Sequence, residues 1–498
     1  MRKIFRKSIG NLWSDPKEEV PVLINFIILF GLYIRFHTQF IMWSFNGDEV
    51  NLGLDILNKN FKDILYPFQS RQSAPPLFLL LQKAISVIAK PFISLKILNF
   101  IASCASLFLF KRLLKTFPPF LQILLLAVFC FSPFIISNSL TLKQYSLDLT
   151  LGLVTVNYFV EHRSSYKTFL FFSIFCLLSN IGLFFCAAMS IFFLLQFFHE
   201  DKKKFSWNGI KRILPVLFAP LPYLLFFIWF IQQPGAETMK NYMVGYWSGA
   251  FMPIDISIFK WWAIQAKVIT IFFFSTYWMV GVPLLMLFLL GVFSLYKNRH
   301  KVFMSPLLKI IMIYIFTSLV HILLSALKMY PFSDRLFLYL APGIYLILGY
   351  GIQESLKIFR KKKQMKMAFY SIFLLLLCTI LLYFNYLPGK ANDVATLLRF
   401  VNSTEHAVLL TAKARQRTSK WLEFTCYEQE DSAKLLNSGT FDLITNTSEN
   451  LLIAVQSEKY GHTEKLSRPE PIIYKLLAEN KIDLYHRVGG YTIYKIKE

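Results

Sequence analysis

Residues 21–43, PVLINFIILFGLYIRFHTQFIMW, decide the fold class of this chain. Arg35 is the only Lys, Arg, Asp or Glu among them. An apolar run of about 20 residues is what an α-helix needs to cross the hydrocarbon core of a bilayer. The run is followed at once by SFNGDEV, residues 44–50, which carries two adjacent carboxylates. The pattern therefore predicts a transmembrane helix that opens into an acidic loop.

The composition of the whole chain agrees with a membrane protein. Of its 498 residues, 55% are apolar and 16% are charged, with 52 Phe. A soluble protein of this size needs about a quarter of its residues charged to cover its surface. The composition therefore excludes an ordinary cytosolic enzyme, a disordered protein and a disulfide scaffold.

The net charge of +24 is concentrated in the apolar part of the chain. Residues 388–498 hold 15 Lys and Arg against 14 Asp and Glu, whereas residues 1–387 hold 38 against 15. Most of these basic residues form short runs between apolar stretches, as at 202–204 and 360–363. Such runs are typical of cytoplasmic loops under the positive-inside rule. We therefore expect membrane lipids, and not nucleic acid, to surround the basic groups.

A 20-residue window predicts a polytopic α-helical membrane protein with about eleven transmembrane helices. The predicted spans lie near residues 21–43, 94–111, 117–138, 146–160, 168–182, 183–198, 213–231, 264–295, 307–327, 336–354 and 367–387. Ser179-Asn180 is the expected break in the apolar stretch 168–198. Residues 77–92 carry Lys83 and Lys90 and are predicted to lie at the membrane interface instead of crossing it.

This arrangement places all basic runs on one side of the plasma (inner) membrane. The N-terminus is then cytoplasmic, the first span is an uncleaved anchor, and the outer loop 44–93 is extracytoplasmic. Residues 1–387 form the membrane domain. Residues 388–498 alternate short apolar runs with amphipathic stretches, which predicts a small α/β extracytoplasmic domain.

Charged residues collect on the outer side of the predicted membrane domain. Asp48 and Glu49 suit general-base chemistry or metal binding, because burial and mutual repulsion raise the pKa of one carboxyl. An equally good interpretation is structural, with Asp48 as the N-cap of a helix over residues 49–58. Asp148 lies near the start of a span, where a carboxylate is costly unless it has a specific use. It is expected to cap the helix, to form a salt bridge with Lys143, or to act in the site. Arg335 either binds a phosphate with its planar fork or extends to the lipid headgroups.

The order of these motifs resembles the GT-C glycosyltransferases, and within them the PMT-like group (family 39/83, including RgtA/B/C/D-like enzymes). The resemblance covers roughly residues 20–390 and rests on five weak motifs in sequence: Asp48-Glu49, Pro75-Pro76-Leu77, Ser132-Pro133, Tyr145-Ser146-Leu147-Asp148, and Arg335 with Pro342. It implies a GT-C fold and a polyprenyl-phosphate sugar as donor. It also implies Asp48 as catalytic carboxylate, Asp148 as second acid, and Arg335 as the residue that holds the lipid phosphate.

The chain departs from the family pattern at three positions. Ala74 stands where family members often carry Lys, Lys143 where they often carry Arg, and Thr141 where a Glu is common. Phosphate binding is therefore expected to depend on Arg71, Lys143 and Arg335, with Tyr145 also contacting substrate.

The expected reaction transfers a sugar to an acceptor hydroxyl of a lipid, glycan or protein, with inversion. Asp48 is the expected base, and Glu49 and Asp148 are further catalytic candidates. Asp148 orients the acceptor or shares a divalent metal ion with Asp48. Two alternatives remain at this point: a membrane transporter or lipid flippase, which predicts broken helices and mid-membrane charges, and an inactive scaffold.

Overall fold

A computed structural model of the chain describes residues 19–42, 47–68, 70–89, 91–158, 166–200, 207–274 and 278–359, together with five strands between residues 407 and 496. The predicted span 367–387 lies outside the described residues.

The described part of residues 1–387 is helical. Its α-helices are α1 Glu19–Phe36, α2 Gly47–Asn58, α3 Pro76–Ile88, α4 Pro91–Leu114, α5 Pro119–Phe131, α6 Pro133–Ser139, α7 Tyr145–Tyr158, α8 Tyr166–Leu178, α9 Ile181–Glu200, α10 Trp207–Phe218, α11 Leu221–Ile231, α12 Ala236–Tyr246, α13 Ile258–Ile269, α14 Trp278–Lys297, α15 Pro306–Ala326 and α16 Ala341–Phe359. Two π-helices, His37–Met42 and Thr270–Phe274, and a 3₁₀ segment, Asp334–Leu340, interrupt or extend them.

Seven described helical segments are long and apolar enough to cross a membrane, and the bent pair α5 and α6 makes an eighth. Six predicted spans appear as segments that pass this test, those near 21–43, 94–111, 183–198, 213–231, 307–327 and 336–354. The break at Ser179-Asn180 is confirmed, since α8 ends at Leu178 and α9 begins at Ile181. The total of eleven stays a prediction.

Predicted spans 146–160 and 168–182 correspond to α7 and α8, whose described parts have 14 and 13 residues. At 1.5 Å per residue these described parts are shorter than the hydrocarbon core. The predicted span 264–295 is also divided, because α13 and a π-helix precede α14. Within the described residues, the 264–295 stretch is therefore interrupted where the apolar composition predicted one span.

Proline marks where several helices begin. Pro76, Pro91, Pro119, Pro133 and Pro306 are each the first residue of a helix, where a missing N–H costs nothing. At Pro133 the consequence is larger, since the predicted span 117–138 bends by 48° between α5 and α6. The Ser132 hydroxyl caps the second part by accepting a hydrogen bond from the N–H of Ile135 at 3.4 Å.

Arg35 stabilises this bend from inside the protein. Its fully buried side chain donates to the carbonyl of Cys130 at 2.9 Å, to that of Gly31 at 3.1 Å, and to Ser103 Oγ at 2.9 Å. In a continuous helix the Cys130 carbonyl would accept from residue 134, but the chain bends before that bond forms. Arg35 therefore satisfies a carbonyl that the break leaves open.

The last described span lies at the centre of the bundle, with 94% of its window buried. It packs backbone to backbone on α14: a Cβ at Gly351 would overlap the carbonyl oxygen of Leu287, and a Cβ at Gly291 would overlap that of Ile347. Small residues at crossing points allow such close approach of membrane helices. This packing fixes the helix that follows the segment carrying Arg335.

The five strands of the C-terminal region form one mixed sheet. They are β1 Ala407–Leu410, β2 Leu435–Leu436, β3 Leu451–Gln456, β4 Ile482–Val488 and β5 Tyr491–Ile496, in the order β2-β1-β3-β5-β4. β1 pairs in parallel with β2 and β3, whereas β5 pairs antiparallel with β3 and β4. An α/β domain spanning 388–498 stays a prediction, because the residues between the strands lie outside the described ones.

Candidate active site

The segment that carries Asp48 follows a change in the hydrogen bonding of the first helix. α1 ends at Phe36 and continues as the π-helix His37–Met42, in which backbone hydrogen bonds join residues five apart instead of four. The buried ammonium of Lys96 donates to the carbonyl of Gln39 at 2.6 Å, and the Gln39 amide donates to the Lys96 carbonyl at 3.4 Å. These bonds fix the point from which the chain reaches Asp48.

Asp48 lies in the first turn of α2, which begins at Gly47. It is inside the helix and not its N-cap, although a carboxylate in the first turn is still favourable for the helix dipole. Its Oδ2 lies 3.5 Å from Nη2 of Arg335, 287 residues further along the chain. The Asp48 side chain is 43% exposed and that of Arg335 23%. This long, partly open ion pair leaves both groups able to take other partners.

Arg335 lies between two aromatic rings. Its guanidinium carbon is 5.8 Å from the ring centre of Tyr145 and 5.6 Å from that of Trp247. Both distances are within the range of cation–π attraction. The two rings lie against the guanidinium while its Nη2 remains 3.5 Å from Asp48. A planar guanidinium is able to bind two oxygens of one anion.

Lys143 is a second cation of the same site. Its side chain is 6% exposed, and Nζ donates to Oε1 of Gln72 at 2.6 Å. Burial, assisted by the positive charge of Arg335, lowers the pKa of Lys143 to about 8, against the opposing effect of Asp48 and Glu49. Two neighbouring cations, one of which lowers the pKa of the other, provide a site for an anion.

Arg71 lies at the edge of the site. It is exposed, its backbone has a positive φ of 58°, and its guanidinium carbon is 5.1 Å from the ring centre of Tyr242 on α12. A left-handed backbone is uncommon for a residue with a side chain and marks a locally constrained turn. Arg71 and Arg335 thus both contact aromatic rings of one short segment, Tyr242 to Trp247.

Glu49 differs from its neighbour in both burial and partners. It is 1% exposed, and its Oε1 accepts a hydrogen bond from the N–H of Leu142 at 2.6 Å. The carboxylate thereby ties α2 to the loop that carries Lys143. The geometry favours positioning over direct contact with a substrate.

Asp148 also is buried, at 3% exposed, in the first turn of α7. It accepts a hydrogen bond from the hydroxyl of Ser179, which in turn accepts from the N–H of Ile181 at 3.1 Å. The carboxylate is thus linked to the N-terminus of α9, where the helix dipole favours negative charge. The structure gives Lys143 and Asp148 different partners: Lys143 donates to Gln72, whereas Asp148 accepts from Ser179.

The structure brings Asp48, Lys143, Tyr145 and Arg335 together. Tyr145 is buried at 5% exposed and lies at the start of α7, three residues before Asp148. The sequence pattern did not indicate Gln72, Trp247 or Tyr242. The cluster of Tyr and Trp in residues 242–247 was the available signal, since aromatic residues beside a membrane boundary often contact polar groups with one edge.

The described residues contain no group of three or more His, Cys, Asp or Glu that could hold a metal ion. Asp48 has Arg335 as its partner, and Asp148 has Ser179. The shared metal site at Asp48 and Asp148 stays a prediction, and the donor set of the described residues does not fit one.

Comparisons with solved structures give distant likenesses. The apo form of the oligosaccharyltransferase of Archaeoglobus fulgidus has 9% identity and a TM-score of 0.43, and the match covers 89% of this chain and 70% of that chain. The same protein in complex with Zn and sulfate has 11% identity and a TM-score of 0.39, covering 80% and 61%. ArnT from Cupriavidus metallidurans bound to undecaprenyl phosphate has 9% identity and a TM-score of 0.37, covering 95% and 97%.

No family model matches the chain, and no curated protein sequence matches it significantly. At this level of likeness the function has to be argued from the site itself.

Proposed function

We propose that this protein is an integral-membrane glycosyltransferase that moves a sugar from a polyprenyl-phosphate donor to an acceptor hydroxyl on the extracytoplasmic face. The observation that carries the proposal is the partly exposed carboxylate of Asp48, 3.5 Å from Arg335 at the end of a membrane-embedded bundle. A base next to cations is the combination that sugar transfer from a phosphate requires.

The cations define where the donor phosphate binds. Arg335 offers a planar fork held between Tyr145 and Trp247, and Lys143 offers a point charge. A bound phosphate would replace Asp48 as the partner of Arg335 and restore the protonated state of Lys143. Arg71, on the rim, would extend the positive surface outward.

Release from Arg335 leaves Asp48 available as the general base. It takes the proton of the acceptor hydroxyl while that oxygen attacks the anomeric carbon of the sugar. The bond between that carbon and the phosphate oxygen breaks, and the negative charge on the departing phosphate is stabilised by Arg335 and Lys143. A single displacement of this kind inverts the anomeric centre.

Glu49 and Asp148 support this reaction from buried positions. Glu49 holds the Lys143 loop through Leu142. Asp148 is linked to α9 through Ser179 and lies one helical turn from Tyr145, which suits orientation of a sugar hydroxyl. The acceptor is a lipid, a glycan or a protein. In this proposal the enzyme is a multi-pass protein of the plasma (inner) membrane, with residues 1–387 as its membrane domain and residues 388–498 as an extracytoplasmic domain.

The test replaces the base. Asp48→Asn keeps the side-chain shape and removes the proton acceptor, so transfer should fall at least 100-fold, within the range of about 10²–10⁴ that general-base catalysis contributes. The matched control is Asp63→Asn, an exposed carboxylate in the same outer loop whose Oδ2 accepts from Asn60. Mass spectrometry of envelope lipids and glycans from a deletion strain identifies the missing sugar and measures its restoration by each variant.

Restoration by Asp48→Asn to the level of Asp63→Asn would contradict the assignment of the base. A complete envelope glycan profile in the deletion strain would contradict the proposed activity itself.

The transporter or flippase alternative predicts broken helices, and the described residues include the interrupted stretch 264–295 and the bent pair α5 and α6. The charge beside that break, Arg35, is bonded to Gly31, Ser103 and Cys130. These bonds serve packing, which is why we place the transferase first. Lipid movement across vesicles that contain the Asp48→Asn protein would favour the alternative.

A further inference from the structure

His321 on α15 is fully buried and binds both ends of the segment that carries Arg335. One ring nitrogen, Nε2, lies 2.9 Å from the carbonyl oxygen of Pro331, and the other, Nδ1, lies 2.9 Å from the hydroxyl of Tyr339. A carbonyl only accepts, so Nε2 carries the hydrogen. In the neutral ring Nδ1 is then the acceptor, and Tyr339 donates to it. Pro331 and Tyr339 are four residues before and after Arg335.

Ser325 lies one helical turn further along the same face of α15, since residues four apart are neighbours on a helix surface. Its buried hydroxyl accepts from the N–H of Met252 at 2.9 Å and donates to the carbonyl of Ala250 at 3.3 Å. The Ala250 N–H donates to the carbonyl of Trp247 at 2.8 Å. Ser325 thereby anchors the turn that follows the Trp247 ring.

The two anchored segments are also bonded to each other. The N–H of Phe332 donates to the same Ala250 carbonyl at 3.0 Å. The rings of His321 and Phe332 are 4.7 Å apart at their centres, and Trp261 packs on Phe332 at 5.7 Å. One end of α15 therefore holds both the segment with Arg335 and the segment with the ring that Arg335 faces.

We propose that His321 and Ser325 are positioning residues that set Arg335 against Trp247 and so build the phosphate site. Neither residue contacts the substrate; each acts through the backbone that it anchors. The inference rests on the proposed function, because the phosphate site is part of it. A small displacement of the guanidinium matters, since its fork binds two oxygens only in one orientation.

The test measures binding of undecaprenyl phosphate to the full chain in detergent by native mass spectrometry, with uncharged undecaprenol as the comparison ligand. His321→Phe keeps the ring shape and removes both hydrogen bonds. We expect it to weaken binding of the phosphate about tenfold, an effect of the size that misplacing a binding group produces. Binding of undecaprenol should not change, and a general loss of structure would not give this selectivity.

Matched variants separate positioning from ordinary packing. Thr317→Val removes a buried hydroxyl of the same helix that bonds only to its own helix, at Ile313, and it should bind the phosphate as the parent does. His321→Gln retains a donor for the Pro331 carbonyl and should recover part of the affinity. If His321→Phe does not fold, Tyr339→Phe removes the bond to Nδ1 of His321 from the other side, and Ser325→Ala removes the bonds to Met252 and Ala250. Both variants carry the same expectation.

A double-mutant cycle decides whether the effect passes through Arg335. In an Arg335→Ala background, His321→Phe should change phosphate affinity by less than about twofold, because the group that it positions is gone. The same tenfold loss in that background, or parent-like binding by His321→Phe alone, would overturn the positioning role. If Arg335→Ala itself kept the preference for phosphate over alcohol, the phosphate site of the proposed function would fail, and this inference with it.

Discussion

Raising the pH should deprotonate Lys143 before it unfolds the protein. Burial and the neighbouring Arg335 bring the pKa of this lysine from 10.5 to about 8, whereas Asp48 and Glu49 act in the opposite direction. In the proposed function, the free enzyme therefore loses one of its phosphate-binding cations just above neutral pH. Because kcat/KM reports the protonation of the free enzyme, it should fall about tenfold per pH unit above 8.

The magnitude follows from the shift. At 1.36 kcal/mol per pKa unit, the lowering corresponds to about 3 kcal/mol that disfavours the charged lysine in the empty site. The folded pKa lies below the unfolded one, so the unfolded chain binds more protons between pH 8 and 10.5. The contribution of Lys143 to stability therefore rises with pH in this window. Activity and this stability term should move in opposite directions, which distinguishes loss of the cation from unfolding.

The assay compares three proteins from pH 6 to 10 under conditions that keep the donor below saturation. The parent should show the alkaline fall, Lys143→Arg should be flat because a guanidinium stays charged, and Lys143→Met should be low and flat. A parent profile that is level to pH 10 would refute the role of Lys143. So would a Lys143→Arg protein that retains the same alkaline limb.

Two further changes test the packing of the bundle. Gly351→Val should lower the free energy of unfolding by about 1–3 kcal/mol, because its side chain would overlap the Leu287 carbonyl. Its control is Gly245→Ala, whose added methyl meets nothing within 4 Å and should be neutral or slightly stabilising. Equal unfolding midpoints of the two variants in detergent would contradict the close packing of α14 and α16. Arg35→Met should cost about 1–3 kcal/mol by leaving the Cys130 carbonyl without its donor. Unchanged resistance to denaturant would show that the bend does not depend on Arg35.

Much of the helical fold could be predicted from local sequence. Apolar runs place α1, α4, α9 and α15 near their observed positions, and Ser179-Asn180 separates α8 from α9 as the polar pair predicted. The division of the 264–295 stretch was not predicted. A hydropathy window averages over such interruptions, because the residues around a π-helix or a bend are as apolar as those of a regular span.

The members of the site were predictable as residue types, but their roles were not. Asp48 and Glu49 are adjacent in sequence, yet the first is 43% exposed at its side chain and the second is 1% exposed as a residue. Successive residues of a helix face different directions, and which direction meets protein depends on the packing of α2. His321 carried no signal in sequence, since a single His in an apolar span is compatible with many uses.

The sequence by itself indicated a multi-pass helical membrane protein and located most of the long apolar helices that the structure describes. Composition and hydropathy suffice for this because a bilayer leaves the backbone few ways to satisfy its hydrogen bonds. Only the tertiary structure decided that Arg335 meets Asp48 across 287 residues, between rings from two other segments. That meeting depends on the packing of several helices and on the turns that α15 anchors, and no local pattern encodes a contact of that range.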